Sequence, residues 1–195
     1  MARVIGAFVV GAVVAVSSLA LITVTPQEGS SPAQSALRAF DDRIAEYVAL
    51  HREVEASLTR LDPSTEPQLI FAHTKQLAAA LKAARPKRRQ GEFFTASVAP
   101  VFRDLIEEAL YGHDVDMLLR DLFEEHPKTW GHSVRVHESY PSWATREVPG
   151  LLLRRLPALP EELEYRVVDH DLAIVDADAN LVLDVLPAAI ARASS

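Results

Sequence analysis

Apolar side chains recur at alternating spacings of three and four residues between positions 37 and 61. The stripe consists of Leu37, Phe40, Ile44, Tyr47, His51, Val54, Leu58 and Leu61. Charged residues such as Asp41, Arg52 and Arg60 fall outside it. This spacing puts the stripe on one face of a helix that packs nearly parallel to its partners. It predicts a long first helix, which ends at Asp62-Pro63 because proline disfavours helical geometry in the residue before it.

A second helix is predicted directly after this break, with Ser64 or Thr65 as its cap and Pro67 in its first turn. The short connection makes the two helices antiparallel neighbours. The apolar face of the second helix is expected to consist of Leu69, Ile70, His73, Leu77, Ala80, Leu81 and Ala84.

Two more helices are predicted downstream. The third starts near a Thr95 cap and stops at Gly112. The fourth runs from about Asp114 to Glu125. With the first hairpin they make residues 33–126 a small helical bundle.

The pattern changes after Pro127, where prolines become frequent and the helical period disappears. Residues 127–162 are expected to be a proline-rich linker with a short helix. Residues 163–190 are expected to form a two- or three-stranded β meander, which is too small to be stable alone and should pack on the helices. Its strands are Leu163 to Val168, Leu172 to Val175 and Leu181 to Leu186. The predicted fold class is α+β, mainly α.

Residues 1–26 form a membrane-targeting segment, since no charged side chain occurs between Arg3 and Glu28. An uncharged run of about 20 residues is the length that a bilayer core requires. Two alternatives remain open: a signal peptide cleaved after Ala20, or an uncleaved transmembrane helix, because Leu21 to Val24 continue the apolar run. Residues 27–32 are a spacer. The rest of the chain is therefore expected in the periplasm or outside the cell, or anchored in the inner membrane and facing away from the cytoplasm.

The amino-acid composition excludes several kinds of site and argues against one class of function. The chain has no cysteine, so it has no disulfide, no thiolate metal site and no lipid-bearing cysteine. Its formal net charge of −7 is poorly suited to nucleic-acid binding, whose affinity comes mostly from Lys and Arg on phosphates.

The C-terminal third contains a run that is similar to known sequences: Tyr140-Pro141, Leu151 to Arg166 (LLLRRLPALPEELEYR), Asp171-Leu172, Asp176, Ala179-Asn180-Leu181 and Asp184. It resembles a family of uncharacterised exported bacterial proteins, which combine a signal segment, a helical region and a proline-punctuated β unit. The terminal strands also show a faint similarity to periplasmic proteins of the RcnB type, associated with metal homeostasis. The resemblance implies export and architecture, and it implies no catalytic residues.

His51 and His73 are the candidate metal ligands. Residues equally distant from the turn of an antiparallel hairpin face one another, and with a turn near Asp62 or Pro63 the partner of His51 falls around residues 73–75. Imidazole is a common ligand of Zn, Cu and Ni, and helical bundles build metal sites from facing helices. The alternative is that both histidines are hydrogen-bonded or lie at the rim of the core.

A third metal ligand is required, and only His113 or Asp114 can be named as a distant candidate. Asp176-x-Asp178-x-Asn180 matches the opening of a calcium loop, but Leu181 stands where the loop needs glycine. That segment is expected to be a turn.

The sequence contains none of three common catalytic or phosphate-binding motifs: G-x-S-x-G, H-E-x-x-H and a glycine-rich phosphate loop. The leading expectation is a non-catalytic cell-envelope module that acts through protein or surface contacts. The alternatives are a periplasmic metal-binding protein that uses His51 and His73, and an envelope hydrolase with no recognisable motif.

The membrane is an expected partner if the N-terminal segment is kept. The basic run Arg85 to Arg89 is expected to be a solvated loop.

Overall fold

The computed structural model describes residues 30–61, 66–87, 89–113, 117, 134–141 and 148–191. They form an α+β fold that is mainly helical, which confirms the predicted class. The helices are α1 (Pro32–Ser57), α2 (Pro67–Ala84), α3 (Val98–Leu110) and α4 (Gly150–Leu153), and the strands are β1 (Leu163–Val168), β2 (Asp171–Asp176) and β3 (Leu181–Leu186). No helix within these ranges is long and apolar enough to cross a membrane, and the predicted segment 1–26 lies outside them.

Helix α1 begins with a reciprocal cap. The Ser31 hydroxyl accepts a hydrogen bond from the Gln34 backbone N–H, and the Gln34 side chain accepts one from the Ser31 N–H. This arrangement satisfies two donors that a helix start leaves without partners. The helix ends at Ser57, and Leu58 is already extended. The expectation that Leu61 continues the helical stripe is therefore wrong.

Helix α2 starts at Pro67 with Glu66 at the N-cap position, and the predicted capping residues Ser64 and Thr65 lie outside the described residues. Of its predicted apolar face only Leu77 and Leu81 are buried, together with Ala78, which the prediction did not include, and Ala84 is exposed. Leu69 and Ile70 were expected to face the core, but they remain about half exposed. The hydrophobic periodicity predicted the helix correctly, but it extended the buried face too far towards the start of the helix.

Helix α3 begins at Val98, where the Thr95 carbonyl accepts hydrogen bonds from the Val98 and Ala99 N–H groups. Gly112 follows the helix with a φ of 77°, a left-handed conformation that favours glycine and stops the helix as expected. The predicted fourth helix, residues 114–125, lies outside the described residues except for Met117.

The three strands form an antiparallel meander in the order β1-β2-β3. Leu163 pairs with Asp176 and Val168 pairs with Asp171, and the β2–β3 register shifts at Ile174/Val175. Both turns contain a residue with positive φ, Asp169 at 54° and Asn180 at 47°, residue types that tolerate this conformation. The turn predicted at 177–180 is confirmed.

Both faces of the sheet are buried. One face joins the helices in a single core, in which the Phe40 and Phe102 ring centroids are 4.9 Å apart and the Phe102 and Tyr165 centroids 6.2 Å. On the other face Val134 and Tyr140 cover the strand residues Val168, Ala173, Val175, Val182 and Val185. Tyr140 therefore anchors its segment on the sheet.

Asp184 ties the segment between α2 and α3 to the sheet. Its fully buried carboxylate accepts hydrogen bonds from the N–H groups of Gly91, Phe93 and Phe94 at 2.7–2.8 Å, and from Val185 at 2.8 Å. Burial raises the pKa of Asp184, and these four donors oppose that rise. The carboxylate is thus the common partner of amides that the core would otherwise leave unsatisfied.

We predict that Asp184→Asn lowers the free energy of unfolding by about 2–4 kcal/mol, because the amide nitrogen cannot accept from donors that remain buried. Asp171→Asn is the matched control. Asp171 also lies in the sheet, but it accepts a single exposed hydrogen bond from Ala188, which asparagine can keep. Urea denaturation of both variants measures the difference. Equal losses would contradict the role assigned to the buried carboxylate.

Candidate functional site

A buried carboxylate lies at the centre of the most unusual polar cluster in the described residues. Asp176 is fully buried, and its Oδ2 accepts a hydrogen bond from the Tyr47 hydroxyl at 2.5 Å and from His51 Nδ1 at 2.7 Å. Its Oδ1 accepts from the Ala179 N–H at 2.7 Å. Tyr47, His51 and Asp176 are called the buried cluster below. It joins α1 to the end of β2.

Local geometry explains how the chain assembles this cluster. Tyr47, His51 and Glu55 are spaced four residues apart, so they lie on one face of α1. Asp176 is the last residue of β2, and Asp178 follows two residues later in the turn. The face of one helix and the end of one strand therefore bring three carboxylates around a single histidine.

His51 uses its two ring nitrogens differently. Nδ1 donates to Asp176, since an ionised carboxylate can only accept. Nε2 is buried without a hydrogen-bond partner, 3.6 Å from Asp178 Oδ2 and 3.8 Å from Glu55 Oε2. Burial lowers the pKa of His51, but the hydrogen bond to Asp176 and the three negative charges outweigh burial and raise it above its usual value. The imidazole is therefore held where a positive charge is favoured.

Arg85 extends the network on the far side of Tyr47. Its guanidinium lies over the Tyr47 ring at 4.5 Å and pairs with Glu92 Oε1 at 2.7 Å. Burial, and then the charge of Asp176, raise the pKa of Tyr47, so the phenol remains a donor. Arg85 is buried, which corrects the expectation that the whole basic run is solvated: the stacked, paired guanidinium belongs to the core.

A second ion pair flanks the cluster. Arg52 Nε donates to Glu162 Oε1 at 2.6 Å, and the Glu162 carbonyl accepts from the Ala177 N–H. Burial alone would raise the pKa of Glu162. The hydrogen bond from Arg52 and a backbone hydrogen bond outweigh burial, so the pKa lies below its usual value. This pair links α1, at the residue after His51, to the residue that precedes β1.

A cleft of about 690 Å³ opens beside the buried cluster, between the end of α1 and the start of α2. Its walls include Glu55 and Asp178, and His73 faces it from α2. Leu58 and Ile70 form part of its apolar lining. The cleft thus connects solvent to the two carboxylates that face His51.

The structure places His51 inside the core and His73 in the wall of the adjacent cleft. His113 follows α3, and Asp114 lies outside the described residues. In their observed conformations, no three His, Asp or Glu side chains of the described ranges are placed to hold a metal ion. The metal site predicted from His51 and His73 stays a prediction.

Sequence reasoning missed Tyr47, Asp176 and Asp178 as partners of His51. The predicted turn is confirmed, but the prediction explains Asp176 and Asp178 by local hydrogen bonds alone and connects neither carboxylate to α1. A signal was present, since a charged residue closes the apolar strand run Leu172 to Val175. A carboxylate at the end of a buried strand needs donors from another element.

Comparisons of this chain with protein-family models, with curated proteins and with solved structures find no match. The resemblance of the C-terminal third to exported bacterial proteins therefore stays a prediction from the sequence.

We predict that Tyr47→Phe lowers the free energy of unfolding by about 1–3 kcal/mol, because it removes one donor from a buried carboxylate. Tyr111→Phe is the matched control, since Tyr111 is 88% exposed and its hydroxyl is solvated. The control should change stability by less than about 0.5 kcal/mol. Urea titration measures both variants, and a neutral Tyr47→Phe would contradict the contribution assigned to this hydrogen bond.

Proposed function

We propose that this protein is an exported, non-catalytic module of the cell envelope that works by binding a partner protein. The observation that carries the proposal is an apolar patch on the first turn of α2. Its members, Leu69, Ile70 and Phe71, are 54%, 49% and 61% exposed. Three consecutive large apolar side chains facing water on one helix are a recognised mark of an interaction surface.

The patch is continuous with the cleft. Ile70 belongs to both, and Leu58 and Leu61 extend the apolar lining from the end of α1. Arg60 and Glu55 supply charges of both signs at the edge. An apolar centre with a polar rim is the usual composition of a protein-binding surface.

Charge favours a protein over a lipid surface as the partner. The chain has 27 acidic and 20 basic residues, so anionic lipids would repel it. A partner that presents an apolar segment needs no such attraction. The side chain of Lys75, whose Nζ lies 4.3 Å from the centre of the Phe71 ring, adds a cation at the edge of the patch that suits an acidic neighbour on the partner.

Export rests on residues 1–26, whose uncharged run is suited to membrane insertion. The absence of cysteine is compatible with an oxidising compartment, because no thiol needs protection. The hydrogen bonds of the buried cluster join helix to sheet, a structural role that is compatible with a non-catalytic module.

Site-specific photocrosslinking in the native host tests the proposal. A photoreactive benzoylphenylalanine replaces Phe71 in one variant and Gln76, an exposed residue on the same helix, in the control. We expect one discrete protein adduct from position 71 and none from position 76. Ile70→Ser should abolish that adduct, because a polar side chain interrupts the patch.

Three results would overturn this function: adducts only with lipid, equal adducts from both positions, or an adduct that Ile70→Ser leaves unchanged. Cell fractionation of the same strains tests export separately. Recovery of the full chain from the cytoplasm alone would refute the localisation.

A further inference from the structure

We propose that a divalent metal ion of the zinc class binds between His51, Glu55 and Asp178, where the cleft meets the buried cluster. This site does not depend on the proposed protein partner. It replaces the second histidine of the sequence prediction with two carboxylates, one from the next turn of α1 and one from the β2–β3 turn.

The orientation of His51 is the first argument. A metal-bound histidine almost always donates its other ring N–H to a carboxylate, which fixes the ring and strengthens the ligand. His51 Nδ1 makes this bond with Asp176 at 2.7 Å, and Asp176 is itself held by the Tyr47 hydroxyl. Nε2 is thereby directed, buried and without a hydrogen-bond partner, towards the carboxylates of Glu55 and Asp178.

Distance is the second argument. Nε2 lies 3.6 Å from Asp178 Oδ2 and 3.8 Å from Glu55 Oε2, too far for hydrogen bonds. If an ion lies about 2.1 Å from each of two atoms that are 3.6 Å apart, the ligand–ion–ligand angle is roughly 120°. This angle is close to the value for tetrahedral coordination. These distances are within ion-pair range of a protonated imidazole, and a shared metal ion would take the place of its proton.

The carboxylates can complete the site because they lie on the solvent side. The side chains of Glu55 and Asp178 are 48% and 57% exposed, so a rotamer change suffices to move either towards the ion. The 690 Å³ cleft provides the entry path and room for a water in the fourth position. In this arrangement the ligands close around the ion when it binds.

The donor set selects the metal. One imidazole nitrogen with two carboxylate oxygens suits zinc, whereas calcium and magnesium prefer oxygen ligands alone. The three carboxylates that surround His51 also supply the negative charge that a divalent ion needs.

Cobalt(II) and zinc(II) titrations of the full chain test the site. We expect one equivalent of cobalt to give a visible ligand-field absorption that zinc displaces. Glu55→Gln and Asp178→Asn should each weaken zinc affinity at least tenfold by calorimetry, because each replaces a charged ligand at an exposed position. Glu53→Gln, at an exposed position on the same helix, is the control and should bind as the parent does.

Circular dichroism establishes that each variant is folded before affinities are compared. The proposal fails if the parent chain shows no saturable cobalt spectrum and no zinc heat. It also fails if a folded Glu55→Gln/Asp178→Asn double variant binds as tightly as the parent, or if Glu53→Gln weakens binding as much as Glu55→Gln does.

Discussion

The carboxylate of Asp176 and its three donors determine how the helical part of this protein meets its sheet. A buried charge without partners is costly, so the folded state requires Tyr47 and His51 to reach Asp176 from α1, and Ala179 to reach it from the turn. The apolar contacts of α1 are non-directional, whereas these directional hydrogen bonds specify one position. The same constraint brings Asp178 to His51 and places the cleft beside the end of α1.

Asp184 applies the same solution at a second point of the sheet. It accepts hydrogen bonds from backbone amides of the segment between α2 and α3, whereas Asp176 accepts them from side chains of α1. The Tyr47 and Phe93 rings, one from each anchored segment, have centroids 6.0 Å apart. A small three-stranded meander is thereby integrated into a larger core, and its second face is covered by the segment that carries Tyr140.

Local patterns were sufficient for much of the fold. The stripe from Leu37 to Val54 predicted α1, and alternating strands and turns predicted the meander, because helical period and turn chemistry are properties of neighbouring residues. The site depends on a contact between positions 51 and 176, which no local pattern encodes. The exposed start of α2 was missed for a related reason: an apolar residue such as Ile70 fits a core face and a binding surface equally well.

A double-mutant cycle between His51 and Asp176 tests most directly whether their bond holds helix and sheet together. The metal-free parent, His51→Gln, Asp176→Asn and the double variant are unfolded in urea, and the coupling energy is taken from the four free energies of unfolding. A coupling of about 1–3 kcal/mol is expected, because each single change leaves a buried partner unsatisfied. A coupling near zero, with the two single losses simply adding, would contradict this account.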